Sequence, residues 1–190
     1  MEDFFCHSSA IIDKGAKIGK ATKVWHFSHI MQGAEIGENC NIGQNVFIGQ
    51  GVKIGNRVKI QNNVSLYTGV ECEDDVFLGP CCVFTNVINP RSFLERKEEY
   101  KPTIIKKGAS IGANATIVCG YTIGKYALIG AGCVVRQTVE DYACMSGNPA
   151  QKIGYVGEYG HRLTFDSNGI AIEKESNYKY KLSAQGVVRI

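Results

Sequence analysis

Ile36-Gly37-Glu38-Asn39-Cys40-Asn41-Ile42-Gly43-Gln44-Asn45-Val46-Phe47-Ile48-Gly49 repeats itself every six residues. The step continues both ways, through Ile12, Ile18, Val24 and Ile30 before it and Ile54, Ile60, Leu66, Cys72, Leu78 and Phe84 after it. Four places beyond these residues stands a small or β-branched one, as at Ala16, Thr22, Ser28, Ala34, Cys40, Val46 and Cys82. A glycine often follows directly, as at Gly19, Gly37, Gly55 and Gly79. A period of six fits neither a helix nor an alternating strand. It fits a parallel β-helix of hexapeptides, each a short strand and a corner, three to a triangular coil. Residues eighteen apart then stack at about 4.8 Å, giving interior columns Ile12, Ile30, Ile48, Leu66, Phe84 and Ile18, Ile36, Ile54, Cys72. The glycines read as corners, where positive φ costs them nothing.

The array breaks after Phe84 and resumes at Ile105, Ile111, Ile117, Ile123, Ile129 and Val135. Because 105 − 84 = 21 is not a multiple of six, residues 85–103 are an insertion. Long excursions from a solenoid are usually functional. Its centre suits a helical turn, and Arg91, Arg96, Lys97 and Lys101 face Glu95, Glu98 and Glu99 there. Residues 139–152 leave the period and end on a Gly-Asn-Pro-Ala turn. This divides the chain into a β-helix over 1–152 and a C-terminal stretch over 153–190. The stretch reads as a short helix over 155–162, then a small antiparallel β appendage over 163–190. Turns fall at Asp166-Ser167-Asn168-Gly169 and Gln185-Gly186. Residues 1–11 read as an irregular lead-in that caps the first coil.

A formal charge of +3 is too small to argue for nucleic acid or an acidic membrane surface. No apolar run has the length of a membrane span, and residues 1–10 lack the pattern of a secretion signal. Of the 8 cysteines, Cys40, Cys82 and Cys133 occupy the small interior site of the repeat and Cys72 the large one. With no Cys-x-x-Cys pair a zinc site is not expected. The cysteines read as reduced apolar fillers, which implies the cytoplasm.

One coil is unusual outside: Trp25, His26, Phe27, His29, Met31 and Gln32 stand where neighbouring coils carry Lys, Glu, Asn and Gly. Such a surface suits subunit packing and ligand binding equally. Asn39, Asn41, Asn45, Asn56, Asn62 and Asn63 read mostly as corner residues, though Gln61, Asn62 and Asn63 could also line a sugar pocket.

The repeat resembles the left-handed β-helix of hexapeptide-repeat acyltransferases, a family of trimers with acyl-coenzyme A between neighbouring prisms. A closer resemblance rests on Val24-Trp25-His26-Phe27-Ser28-His29-Ile30, Gly43-Gln44-Asn45-Val46-Phe47, Val83-Phe84-Thr85-Asn86, Asn89-Pro90-Arg91-Ser92 and Leu94-Glu95-Arg96-Lys97. Over roughly residues 5–160 these are similar to the N-acetyltransferases of UDP-2-acetamido-3-amino-2,3-dideoxy-D-glucuronate, which serve surface polysaccharide synthesis.

The resemblance implies acetyl-CoA as co-substrate, no metal, a UDP-linked amino sugar as acceptor, and a homotrimer with sites between subunits. It implies Asn86 as the catalytic residue, with His29 and His26 as alternative bases, since histidine has a pKa of about 6.5. Trp25, Gln44, Asn62, Arg91 and Arg96 are the implied substrate contacts. Gly112, Ala113, Gly130 and Ala131 are the implied pantetheine contacts, and Lys152 the phosphate contact. Another nucleotide-linked amino sugar, such as a dTDP-amino-deoxyhexose, is the alternative acceptor. A γ-class carbonic anhydrase needs three converging histidines, and only His26 and His29 fall in the array as read. A purely structural assembly module needs neither the insertion nor the Asn-Pro-Ala turn.

Closed cyclic symmetry is the usual outcome for such surfaces, so a scattering mass of three chains is expected in solution. A mass of one chain would remove the shared-site reading.

Overall fold

The computed structural model describes residues 3–190. Three sheets of 9, 7 and 6 strands, parallel but for the last strand of the nine, form the faces of a prism, and most strands are two residues long. The register keeps the eighteen-residue stack: Ile12 pairs with Ile30, Ile30 with Ile48, and Ile18 with Ile36. The result matches a left-handed β-helix of about 8 turns. The prism starts earlier than the sequence reading has it. Phe5–Cys6 is already a strand, paired with Lys23 and Val24, so residues 5–11 are coil and not an irregular cap. Cys6 is the first residue of the six-step, which the reading missed because a cysteine there looks unlike the isoleucines that follow.

Across the insertion, Phe84 pairs with Ile117 and Cys72 with Ile105. The offset is 117 − 84 = 33 residues, fifteen more than one coil, yet the stack continues unbroken. The coil therefore expels the insertion sideways as a loop.

Inside, Ile30, Ile42, Ile48, Ile60, Leu66, Leu78, Ile111 and Ile117 are fully buried, each contributing about 1.5–3 kcal/mol. Two of the polar residues in this interior relay hydrogen bonds between coils, while Thr103 is buried with its hydroxyl unpartnered. Thr22 Oγ1 donates to Gly37 O at 2.8 Å and accepts from Cys40 N at 3.0 Å. Ser28 Oγ donates to Gly43 O and accepts from Val46 N in the same manner. None of the cysteines forms a disulfide among the described residues. Burial pushes the Cys82 thiol up to about 12, with Cys81 adding to it, and raises those of Cys72 and Cys40 as well.

The glycines of the six-step are not the corners. Left-handed φ falls three residues after each inward residue, not one: Gly33 (72°), Asn39 (56°), Asn45 (56°), Gly51 (71°), Arg57 (57°) and Asn63 (62°). Asparagine tolerates that region, so three of the six listed asparagines are corners as read. The glycine directly after the inward residue has another reason. A Cβ on Gly37 would lie 2.6 Å from both Asn56 Oδ1 and the Gly55 carbonyl carbon. Asn56 Oδ1 accepts from Glu38 N at 2.9 Å, so that carboxamide is fixed across the coil gap.

The sheet of nine strands ends with Ala143–Ser146 and, antiparallel to it, Gln151–Tyr155. The expected helix over 155–162 is absent. Tyr155 closes a strand, and Val156 bridges Arg162 around a turn. The backbone there is held by Val156 N donating to Tyr142 O, Gly157 N to His161 O and Leu163 N to Tyr155 O. Beyond it the antiparallel appendage is present as Ile170–Ile172, Lys179–Ser183 and Gly186–Arg189. It packs Tyr180, Ala171, Val187 and Leu163 against Tyr142 of the coil. Buried Glu173 accepts from Tyr180 Oη at 3.0 Å and from Tyr159 N at 3.0 Å. Among the described residues there is no α-helix, and no helix is long and apolar enough to cross a membrane.

Gly37→Ala is expected to cost about 3 kcal/mol, because overpacking against fixed backbone has no relief. Gly132→Asn, at a corner with φ 69° and open space around it, should cost less than about 1 kcal/mol. Thermal unfolding then separates the two by several degrees. Alkali supplies a second check. A thiol raised in the folded state stabilises fully below its unfolded pKa of 9.0 and loses that contribution as pH climbs towards 12. The urea midpoint should therefore hold to about pH 9 and fall above it.

Candidate functional site

The insertion is tied at its neck. Thr85 N donates to Ile117 O at 3.1 Å, Thr85 Oγ1 accepts from Cys119 N at 3.0 Å, and Asn86 O accepts from Lys101 N at 2.9 Å. Between these anchors the loop makes one 3-10 turn, Lys97–Glu99, as its composition suggests. The turn folds back over the prism and encloses a cleft of about 570 Å³. Asn86 lines it with Met31, Phe47, Tyr67, Lys97 and Tyr100, over the backbone of Gly49 and Gly51. Phe47 and Tyr67 form a wall with ring centroids 5.8 Å apart. Lys97 Nζ lies 2.9 Å from Glu95, and that hydrogen bond raises its pKa, so it is a cation at neutral pH.

A second, shallower pocket of about 270 Å³ lies at the neighbouring corner of the same coils. It gathers Trp25, His26, Gln44 and Asn62, with Asn41 and Gln61. Asn41 Oδ1 accepts from Trp25 Nε1 at 2.8 Å, and Asn62 Oδ1 accepts from Gln44 N at 2.9 Å. His26 stacks on His7 at 3.5 Å. His7 is therefore part of the coil, its N–H donating to Val24 O, and not outside the array as read.

The residues singled out in the sequence thus fall into several groups. Asn86 stands in one cleft, and Trp25, His26, Gln44 and Asn62 in the other. His29 projects from the face between them, 3.1 Å from Asp13 Oδ1 and edge-on to Phe47. Its strand is three strands before the one leading to Asn86, or about 14 Å along the prism at about 4.8 Å each. Arg91 and Arg96 line neither opening. Arg91 donates to Pro90 O at 2.9 Å, and Arg96 to Glu99 Oε1 at 2.5 Å.

Gly112, Ala113, Gly130 and Ala131 stack on the same corner line as the second pocket, further along the prism. Gly112 and Gly130 give their N–H groups to Ile129 O and Met145 O. Their lack of a Cβ is what lets these coils close, since one on Gly112 would lie 2.5 Å from Ala131 N. Lys152 is ion-paired with Glu140 and donates to Tyr155 Oη at 2.9 Å. Those hydrogen bonds raise its pKa. No group of three or more His, Cys, Asp or Glu side chains able to hold a metal ion occurs among the described residues.

Sequence reasoning missed the walls of the first cleft. Stepping back by eighteen from Asn86 gives Thr68 and Gln50, and from Thr85 it gives Tyr67, Gly49 and Met31. All five line the cleft. The period already in hand was the signal. Lys97 and Tyr100 have no such signal, because the fold of the loop brings them there.

Residues 15–50 and 102–137 match the bacterial transferase hexapeptide family (six repeats), and residues 33–68 the hexapeptide repeat of succinyl-transferase. The chain is 47% identical over 91 residues to a dTDP-3-amino-3,6-dideoxy-alpha-D-galactopyranose 3-N-acetyltransferase of Aneurinibacillus thermoaerophilus, covering 48% of this chain and 46% of that protein. It spans less than half the length of the curated relatives it matches, 46% and 32% for two of them. Among solved structures it is similar to a hexapeptide-repeat acetyltransferase of Vibrio cholerae complexed with acetyl coenzyme A. That match has 25% identity and a TM-score of 0.57, over 65% of this chain and 70% of the other. The fold alone is shared with a UDP-N-acetylglucosamine acyltransferase of Bacteroides fragilis, at 20% identity and a TM-score of 0.66 over 80% and 61% of the two chains. By its repeats and its coil the chain is similar to the bacterial hexapeptide-repeat transferases.

Proposed function

We propose that the chain moves an acetyl group from acetyl-CoA to the 3-amino group of a nucleotide-linked amino sugar. The observation that carries this is Asn86 at the neck of the insertion, lining a sugar-sized cleft with aromatic walls. The relative that is 47% identical acts on a 3-amino group as well. Two acceptors fit. The inserted-loop motifs favour UDP-2-acetamido-3-amino-2,3-dideoxyglucuronate, and that relative's own substrate favours a dTDP-linked amino-deoxyhexose.

The neutral amine attacks the thioester carbonyl, forming a C–N bond and a tetrahedral oxyanion. Collapse breaks the C–S bond and expels the coenzyme thiolate. A thiolate of pKa about 8.5 can take the proton that the new ammonium must lose. Asn86 can accept from the amine N–H or donate to the oxyanion, but it is a poor base. His29, oriented by Asp13, and His26 are the side chains that could serve as a base instead. Gly112, Ala113, Gly130 and Ala131 offer the pantetheine arm a close approach. Lys152 would have to exchange Glu140 for a coenzyme phosphate. Assembly as a trimer would give both clefts a second wall, and the exposed Ile11, Phe27 and Val83 support burial there.

Thiol release from acetyl-CoA, measured with both acceptors, tests the reading. Asn86→Ala is expected to lower turnover about 100- to 1000-fold, the cost of one oxyanion-type donor. Asn86→Asp keeps the shape but removes both N–H donors. Severe loss means that Asn86 donates, and tolerance means that it accepts from the amine. Near-normal turnover in both variants defeats the assignment. A dead His29→Ala or His26→Ala, rescued as pH rises, puts the base there.

A further inference from the structure

Resting on that reading, we infer that Lys97 is the group that recognises the negative charge of the substrate in the Asn86 cleft. Lys97 is the one charged residue among the described residues that line it. The arginines of the same loop are otherwise engaged: Arg96 pairs with Glu99 at 2.5 Å, and Arg91 turns to the Pro90 carbonyl. The neck bond from Lys101 N to Asn86 O and the bond from Glu99 N to Arg96 O set the loop so that Lys97 and Tyr100 face Asn86 across the opening.

The partner of Lys97 in the free protein is weakly held. Lys97 and Glu95 meet at 2.9 Å with their side chains 71% and 72% exposed. Exposed pairs of this kind contribute about 0–1 kcal/mol, so an arriving anion can displace Glu95. Inside the cleft that anion would have the Phe47 and Tyr67 rings beside it. A lysine offers a compact charge with three donors on a flexible stem. This suits an anion whose position varies, and a nucleotide sugar carries two: the diphosphate and, in a uronate, the ring carboxylate. Glu98 and Glu99 lie on the far side of the turn, in a separate hollow with Ile88 and Lys101. They do not neutralise Lys97 across the cleft.

The test titrates UDP-glucuronate, UDP-glucose and UDP into the wild-type chain and into Lys97→Met, Lys97→Arg and Glu95→Gln, in the presence of acetyl-CoA. Lys97→Met is expected to weaken UDP-glucuronate about tenfold, the scale of one charge-assisted hydrogen bond, and to leave UDP-glucose unchanged. Lys97→Arg should retain most of the affinity. Glu95→Gln should tighten the uronate by freeing Lys97, which a merely structural role would not do. Equal weakening of all three ligands by Lys97→Met would also support the inference and assign the anion to the diphosphate. Unchanged affinities in Lys97→Met, or no binding of any of the three by the wild-type chain at millimolar concentration, would overturn it. Thiol release with the amino sugars is scored separately. A Lys97-dependent titration without thiol release would refute acetyl transfer and leave Lys97 standing.

Discussion

The structure depends on one distance, the gap between successive coils. At about 4.8 Å every two-residue strand can pair with the strands one coil before and one coil after. In several coils that spacing leaves no room for a Cβ on the residue after the inward one. Gly37, with Asn56 Oδ1 and the Gly55 carbonyl both 2.6 Å from where its Cβ would be, shows the constraint at its tightest. The same gap lets Thr22 and Ser28 sit inside as relays, because a hydroxyl can reach both neighbouring coils at once. Backbone pairing, interior packing and the polar ladder therefore share one spacing.

That rigidity accounts for the site. A coil that cannot stretch must expel fifteen extra residues at one corner, and it does so between Phe84 and Ile105. The neck is held to the coil through Thr85, and Lys101 N closes it on the Asn86 carbonyl. The loop beyond the neck is free to differ in charge and shape without disturbing the stack. Lys97, Tyr100 and the exposed Phe93, at 85%, all come from it. Stability and specificity are thus borne by different parts of one chain.

The two openings lie at two adjacent corners of the same coils, with the strand of His29 between them. Such a face presents aromatic and polar groups in a row, where the face carrying Lys17 and Glu35 presents an exposed ion pair. Asymmetry among three otherwise equivalent faces is what a triangular coil has at its disposal to mark a surface, since its interior is spoken for by packing. The C-terminal sheet packs against the last coils through Tyr142 and Tyr180 and lines neither opening.

The sequence by itself determined the coil, two of its interior columns, the insertion and the antiparallel strands at the end. Each rests on a period or a turn signal that local chemistry makes unambiguous. It also marked Asn86, Trp25, His26, Gln44 and Asn62, and the eighteen-residue step held the walls Tyr67, Thr68 and Gln50 for anyone stepping back from Asn86. It misjudged Cys6 and His7, where the residue types hide the repeat, and residues 155–162, where backbone hydrogen bonds to Tyr142 and within the turn override helical composition. It also took the glycines after the inward residues for corners, because propensity records what glycine tolerates and not what stands one coil away. Only the tertiary structure decided that Lys97 rather than Arg91 or Arg96 faces Asn86. A loop of mixed charge has no period, and which of its cations looks inward is settled by the hydrogen bonds at its neck.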